Sequence, residues 1–201
     1  MADKALRIAV FGAGGHGKVV IDAVLQNPAL SLVCIIDDAP RNTCGMLLGH
    51  AVAGGRDILL AERSSIDGVI VAIGNNRVRR ETSRWLATQG LPRFSVIHPA
   101  AVVSPFATVG IGTLIMPGAI VNAEARIGED VIINTRAIVE HDCVVSNGVH
   151  LAPGSILCGG VEIGDETLIG AGAVIVPGIR VGAHLLVKAG SLISRNVMTP
   201  T

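Results

Sequence analysis

From Val96 to Val197 the chain divides into seventeen consecutive six-residue blocks without an insertion, and the second residue of every block is Val, Leu or Ile. The series begins at Ile97 and Val103 and ends at Val187 and Ile193. Four residues after each of these stands Ala, Ser, Thr, Val or Cys in fifteen blocks, the larger exceptions being Ile179 and Leu185. A period of six fits neither an amphipathic helix nor a lone hairpin. It fits a parallel β-helix whose coil has flat faces of one block each, the aliphatic residue pointing inward and the small one filling a corner. Stacked like residues need few aromatics, in keeping with an aromatic content of 2% beside 50% hydrophobic residues.

With three blocks to a coil, residues eighteen apart stack at about 4.8 Å, the spacing of neighbouring strands. Blocks such as Arg126-Ile-Gly-Glu-Asp-Val131, Glu162-Ile-Gly-Asp-Glu-Thr167 and Leu168-Ile-Gly-Ala-Gly-Ala173 resemble the hexapeptide repeat of the left-handed β-helix acyltransferases. The left hand is implied by that resemblance alone, because crossovers between parallel strands are otherwise right-handed. A purely structural solenoid would repeat one residue type along an outer face, and the sequence shows no such face.

The change to period six near residue 96 predicts two domains, 1–95 and 96–201. Formal net charge is zero, with 16 basic and 16 acidic residues, and no basic stripe or aromatic ladder is present to grip nucleic acid. Gly or a charge interrupts every apolar run, which excludes a membrane span, and the N-terminus lacks a signal-peptide pattern, so the expected location is cytoplasmic. Cys34, Cys44, Cys143 and Cys158 form no paired motif and are read as reduced thiols.

The first domain reads as a Rossmann-like α/β unit. An apolar strand from Leu6 to Phe11 runs into Gly12-Ala-Gly-Gly-His-Gly17, and Lys18 to Leu25 reads as a helix, which is G-x-G-x-x-G in the strand-turn-helix context it requires. Strands at Ser31 to Ile36 and Val69 to Ile73 end at Asp37-Asp38 and at Gly74-Asn75-Asn76, the latter before a helix that includes Trp85. Their carboxyl ends should line one crevice. Gly12 to Lys18 also satisfies G-x-x-x-x-G-K, but Val19 follows, so the magnesium-binding hydroxyl of a nucleotide hydrolase is absent. The helix N-terminus favours an anion.

Phe11-Gly-Ala-Gly-Gly-His-Gly-Lys18, Ile36-Asp-Asp38, Ala72-Ile-Gly-Asn-Asn76 and Val139-Glu-His-Asp-Cys143 together resemble, in order and spacing, the PglD/NeuD-type sugar acetyltransferases over nearly the whole chain. The resemblance implies an acetyl-CoA-dependent N-acetyltransferase of a nucleotide-linked amino-deoxy sugar, most specifically a UDP-4-amino-4,6-dideoxy sugar of glycan biosynthesis. It further implies a homotrimer that binds acetyl-CoA between neighbouring subunits without a metal.

Acetyl transfer to an amine needs a base near neutral pH, and His141 with Asp142 beside it is the candidate pair. Repeat arithmetic stacks Gly159 on His141, which leaves space against the imidazole. The resemblance assigns the catalytic base to His141, its acidic partner to Asp142, and acetyl-CoA contacts to His150, Gly159, Ala171 and Ala189. It assigns sugar-nucleotide contacts to Gly14, Gly15, His16, Asp37 and Asp38. The chain departs from the family at Lys188, where Gly is usual, and in its last residues, Asn196 to Thr201. The first departure implies a contact to a CoA phosphate or a changed end to the cofactor site, and the second a differently capped last coil. Two rivals keep the architecture: a sugar O-acetyltransferase acting on a sialic acid, and a non-catalytic nucleotide-sugar-binding assembly module. A zinc enzyme resembling the γ-class carbonic anhydrases would pair imidazoles as H-x4-H, whereas His141 and His150 are nine apart.

Overall fold

The computed structural model describes residues 5–39 and 45–199; Cys44 and the last two residues of the chain lie outside them. Two compact units divide between Pro99 and Ala100, inside the first six-residue block.

In the first unit, β1 (Leu6–Phe11), β2 (Leu30–Ile36), β4 (His50–Gly54) and β5 (Gly68–Val71) are parallel, and β3 (Met46–Leu47) adds an antiparallel edge to β4. The strand order is β3-β4-β2-β1-β5. Its central strands are apolar and buried, as strands covered on both faces must be: Ile8 to Phe11 in β1 and all of β5 are buried. Three helices, α1 (Gly15–Gln26), α2 (Arg56–Ala61) and α3 (Asn76–Thr88), follow β1, β4 and β5. Helix α1 begins inside the glycine motif, three residues earlier than the sequence predicts. Helix α3 starts at Asn75, whose side chain accepts the Val78 N–H at 3.0 Å, an ordinary N-cap. Strands β3 and β4 and helix α2 are additions to the sequence reading.

In the second unit each block makes one two-residue strand, seventeen in all (β6 to β22, from Val96–Ile97 to Leu192–Ile193). Three parallel sheets result, joined into a hexapeptide β-helix. A first face holds the strands that begin at Val102, Ile120, Ile138, Ile156, Val174 and Leu192, and a second those at Thr108, Arg126, Val144, Glu162 and Arg180. The third holds those at Val96, Leu114, Ile132, His150, Leu168 and Leu186. Partners are eighteen residues apart, as in Ile120 with Ile138 and Glu162 with Arg180. The inward residues Val139, Val145, Leu151, Leu157 and Ile169 form one buried core with the corner-fillers Ala137, Cys143, Val149 and Val161.

Every block from Gly112 to Gly190 turns its corner through one residue of positive φ; eight of these are glycine and six are not. The non-glycine set is Glu124, Asp130, Arg136, Asp142, Glu166 and His184, and each carries the steric cost of the left-handed region. Past Ile193 the register changes, for Val197 bridges Val181, sixteen residues away, and the Asn196 side chain accepts the Arg180 N–H at 2.9 Å. The last coil thus ends on a side-chain bond in place of a further full strand. Among the described residues no helix is long and apolar enough to cross a membrane.

The stacking leaves some positions no room for a side chain. A Cβ on Gly164 would lie 2.5 Å from the Ala183 backbone nitrogen in the next coil. Gly164→Ala should therefore destabilise the β-helix by about 1–3 kcal/mol, as overpacking does, read as a lower thermal midpoint than wild type. An unchanged midpoint would contradict the stacking described.

Candidate functional site

Two sites stand out, one in each unit. In the first unit a cavity of about 510 Å³ opens at the carboxyl ends of β1, β2 and β5, where a parallel α/β sheet binds its ligands. Its wall includes Gly14, Gly15, His16, Asp37 and Asp38, the five residues expected, together with Phe11, Arg56, Ile73 and Thr82.

The glycines divide by task. A Cβ on Gly12 would sit 2.7 Å from the Ala72 carbonyl, and one on Gly17 would strike the Gly12 carbonyl, so these two permit the tight strand-to-helix turn. Gly14 and Gly15 have open space on their side-chain directions. Gly14 is the N-cap of α1 and offers no side-chain cap, so the first N–H groups of the helix face the cavity ready for an anion.

Asp37 lines the cavity and also braces its wall. Its Oδ2 accepts the Ala13 N–H at 2.6 Å and its Oδ1 the Ala39 N–H at 2.8 Å. The carboxylate thus ties the glycine turn of β1 to the end of β2. Asp38 accepts from the Arg56 backbone N–H at 3.2 Å and from its Nε at 2.8 Å. The Arg56 guanidinium in turn lies 4.4 Å from the centroid of the Trp85 ring and 5.7 Å from that of Phe11, a cation–π arrangement. Arg56 escaped the sequence reading. Its signal was Gly54-Gly55 just before it, the same strand-to-helix punctuation that marks the first turn.

Burial, with a smaller contribution from Arg79, lowers the His16 imidazole from 6.5 to about 4, so it is neutral at physiological pH. Arg79 is fully buried and donates to the Ile73 and Gly74 carbonyls at 3.0 and 3.2 Å and to Asn76 Oδ1 at 2.9 Å. A buried guanidinium is tolerated when its donors are met in this way. It fixes the loop that forms the far wall.

The second site is on the β-helix. His141 and Asp142 occupy the corner between the first and second faces, and His141 Nδ1 lies 2.7 Å from Asp142 Oδ2. Asp142 has φ 60°, so the carboxylate is presented from a strained turn position where the next coil carries Gly160. The hydrogen bond and charge of Asp142 raise the His141 pKa above its ordinary value. Gly159 lies under the ring, and a Cβ there would come within 2.6 Å of His141 Cε1. The absent side chain makes the seat of the imidazole.

His150 stands on the third face, paired in register with Ile132 and Leu168. Asn134 Oδ1 accepts the Thr135 N–H at 2.8 Å, which orients its amide, and Asn134 Nδ2 contacts His150 Nε2 at 3.1 Å. Nε2 is then the acceptor, and the His150 proton resides on Nδ1. Ala171 and Ala189 are exposed and stacked eighteen apart at the corner between the third and first faces. One chain therefore brings together His141, Asp142 and Gly159, but holds His150, Ala171 and Ala189 on another side of the solenoid. Cys143 is buried and its thiol donates to the Cys158 carbonyl, the pair remaining unbridged; Cys34 is also a free thiol. Among the described residues no group of three or more His, Cys, Asp or Glu side chains is placed to hold a metal ion.

A crevice of this kind joined to a hexapeptide β-helix with a corner imidazole defines a class, the hexapeptide-repeat transferases with an N-terminal nucleotide-type domain. Residues 7–86 match the PglD N-terminal domain, and residues 142–177 match the bacterial transferase hexapeptide (six repeats). The fold superposes on a histidine-to-asparagine mutant of perosamine N-acetyltransferase from Caulobacter crescentus, solved with CoA and GDP-perosamine. That chain is 36% identical, with a TM-score of 0.90 over 99% of this chain and 91% of that one. The acetyltransferase domain of PglB from Neisseria gonorrhoeae FA1090, in complex with acetyl coenzyme A, is also 36% identical, with a TM-score of 0.90 over 98% and 94% of the two chains. UDP-N-acetylbacillosamine N-acetyltransferase from Bacillus subtilis (strain 168) is 38% identical over 112 residues, 54% of this chain and 50% of that relative's length. The chain belongs to the PglD-type nucleotide-sugar N-acetyltransferases with hexapeptide repeats.

The two aspartates should separate in experiment. Asp37→Ala removes the acceptor of two backbone N–H groups and should cost about 1–3 kcal/mol, seen as a lower denaturation midpoint. Asp38→Ala breaks a half-exposed ion pair and should cost less than about 1 kcal/mol. Equal losses would contradict the structural role given to Asp37.

Proposed function

We propose that the protein transfers the acetyl group of acetyl-CoA to the amine of a nucleotide-linked amino-deoxy sugar, a UDP-4-amino-4,6-dideoxy sugar being the specific acceptor. The observation that carries this reading is the His141–Asp142 pair seated on Gly159. With Nδ1 held by the carboxylate, the proton is on Nδ1 and Nε2 is the basic nitrogen. Nε2 removes a proton from the sugar amine as nitrogen attacks the thioester carbonyl. The C–N bond forms, the C–S bond breaks, and the imidazolium returns its proton to the departing CoA thiolate. The His150 Nδ1–H supplies a donor for the thioester oxygen, where charge develops in the transition state.

The crevice of the first unit takes the nucleotide sugar, its diphosphate at the N-terminus of α1 and its polar edges toward Asp38 and Arg56. A homotrimer completes the catalytic site. Support comes from the separation of His141 from His150, Ala171 and Ala189 on one chain, so that the cofactor-binding edge of one copy must meet the imidazole of another. The outer side of the first face suits such contact, since its strands begin only with Val, Ile or Leu: Val102, Ile120, Ile138, Ile156, Val174 and Leu192. One residue class does therefore repeat along this outer face, which corrects the reading of the sequence that no outer face repeats.

Incubation with acetyl-CoA and a panel of UDP- and GDP-linked amino and hydroxy sugars, read by mass, tests the reaction: an N-acetylated amino sugar is expected, and exclusive O-acetylation would overturn it. His141→Ala should lower kcat by about 10²–10⁴-fold. Asp142 raises the pKa of His141, and the base acts only when deprotonated, so the acidic limb of kcat/KM reports that raised value. Asp142→Asn should move the limb to lower pH and reduce the rate less than His141→Ala does. A limb that stays in place, or full activity in His141→Ala from pH 6 to 9, would refute the assignment.

A further inference from the structure

The outward positions beside His141 change character at the coil of Gly159. On the first face the residue that follows each strand is, coil by coil, Ser104, Asn122, Glu140, Cys158, Val176 and Ser194. Only Cys158 and Val176 are apolar. They stack on adjacent coils, eighteen residues apart, and both are half-buried. A free cysteine packs as a small hydrophobe, so the two make a single apolar patch in a column that is otherwise polar.

Hydrogen bonds fix the patch in place. The Cys158 N–H donates to the Ile175 carbonyl at 3.0 Å and the Val176 N–H to the Ile193 carbonyl at 3.0 Å. From inside the solenoid, the buried Cys143 thiol donates to the Cys158 carbonyl at 3.1 Å. Its position relative to the base follows from the imidazole. Asp142 holds Nδ1 from the side of the corner that leads to the second face. The two nitrogens of an imidazole point in widely different directions, so Nε2 is turned away from Asp142, towards the first-face side where the column stands. Gly159, beneath Nε2, directly follows Cys158 in the chain.

In the acetyl transfer proposed above, the thioester carbon carries four groups as the amine attacks. The nitrogen is at His141 Nε2, the oxygen faces the His150 Nδ1–H, and the sulfur leads into the pantetheine arm. The fourth group is the acyl chain, which is apolar and needs an apolar surface close to Nε2. Along this column only Cys158 and Val176 provide one.

We propose that Cys158 and Val176 form the floor of the acyl subsite and select the donor by the length of its acyl chain. This rests on the reading that His141 is the base of acetyl transfer. Both side chains stand on backbone that is hydrogen-bonded into stacked coils, so they cannot withdraw to admit a longer chain. A hydrophobic pocket discriminates one methylene by about 10–200-fold, and a floor of this kind places that discrimination at the reacting carbon.

The ratio of kcat/KM for acetyl-CoA to that for propionyl-CoA tests the floor, because a merely structural effect lowers both values alike. Wild type should favour acetyl-CoA by about 10–200-fold. Cys158→Ala and Val176→Ala deepen the subsite and should each lower that preference by about 10-fold. Cys158→Leu fills it and should slow both donors, propionyl-CoA more than acetyl-CoA. Ser194→Ala trims the same column one coil beyond Val176 and should leave the ratio at its wild-type value. A ratio unchanged in both Cys158→Ala and Val176→Ala, or an equal fall in Ser194→Ala, would overturn the floor while the reaction stood. A wild type that transfers no acetyl group would sink the reaction, and this inference with it.

Discussion

Everything in the second unit depends on one register, the pairing of each residue with those eighteen before and after it. Backbone hydrogen bonds such as His150 N to Thr167 O and Gly160 N to His141 O hold that register, and the buried aliphatic column fills the space inside it. Any residue type placed at one block position is carried straight along the molecule. That is why a glycine at 159 becomes the seat of an imidazole at 141. The same register puts His141 and the edge formed by His150, Ala171 and Ala189 on different sides of one chain.

The site uses one of the six corners of the solenoid that carry left-handed strain without glycine. Glycine occupies most of the left-handed corners, yet the corner beside His141 is Asp142, with φ 60°. A left-handed backbone costs an ordinary side chain about 1–2 kcal/mol, partly offset because glycine loses more entropy on folding. The carboxylate at this corner holds Nδ1 and raises the proton affinity of the base. Stability is exchanged for a fixed tautomer. In the first unit the acidic residues serve a comparable end by other means, Asp37 through backbone N–H groups and Asp38 through Arg56 and its aromatic support.

The β-helix was plain in the sequence because each block repeats both an inward aliphatic and a small corner residue, so the signal accumulates. The α/β unit has no such repetition. Strand β4 buries only Val52, β3 is two residues long, and α2 buries only Leu59 in six residues, too little periodicity to announce an element. Arg56 was hidden for the same reason, since its meaning depends on Trp85 and Asp38, far away in sequence. The resemblance placed Asp37 at the crevice, but its hold on the Ala13 and Ala39 N–H groups is legible only in the geometry. His141 and Gly159 were foreseeable because their contact is pure register. What no single-chain pattern carries is the proposed meeting of one copy with another.

That meeting is the central claim, and subunit mixing tests it directly. A His141→Ala chain lacks the base but keeps the cofactor-binding edge. An Ala171→Trp chain keeps the base, and its bulky ring at an exposed corner blocks that edge. Each alone should be nearly inactive, while co-refolded mixtures should regain acetyl transfer, because some shared sites then combine an intact base with an intact edge. Mixtures no more active than the separate variants, with mixed assemblies confirmed by mass, would contradict a site built from two copies.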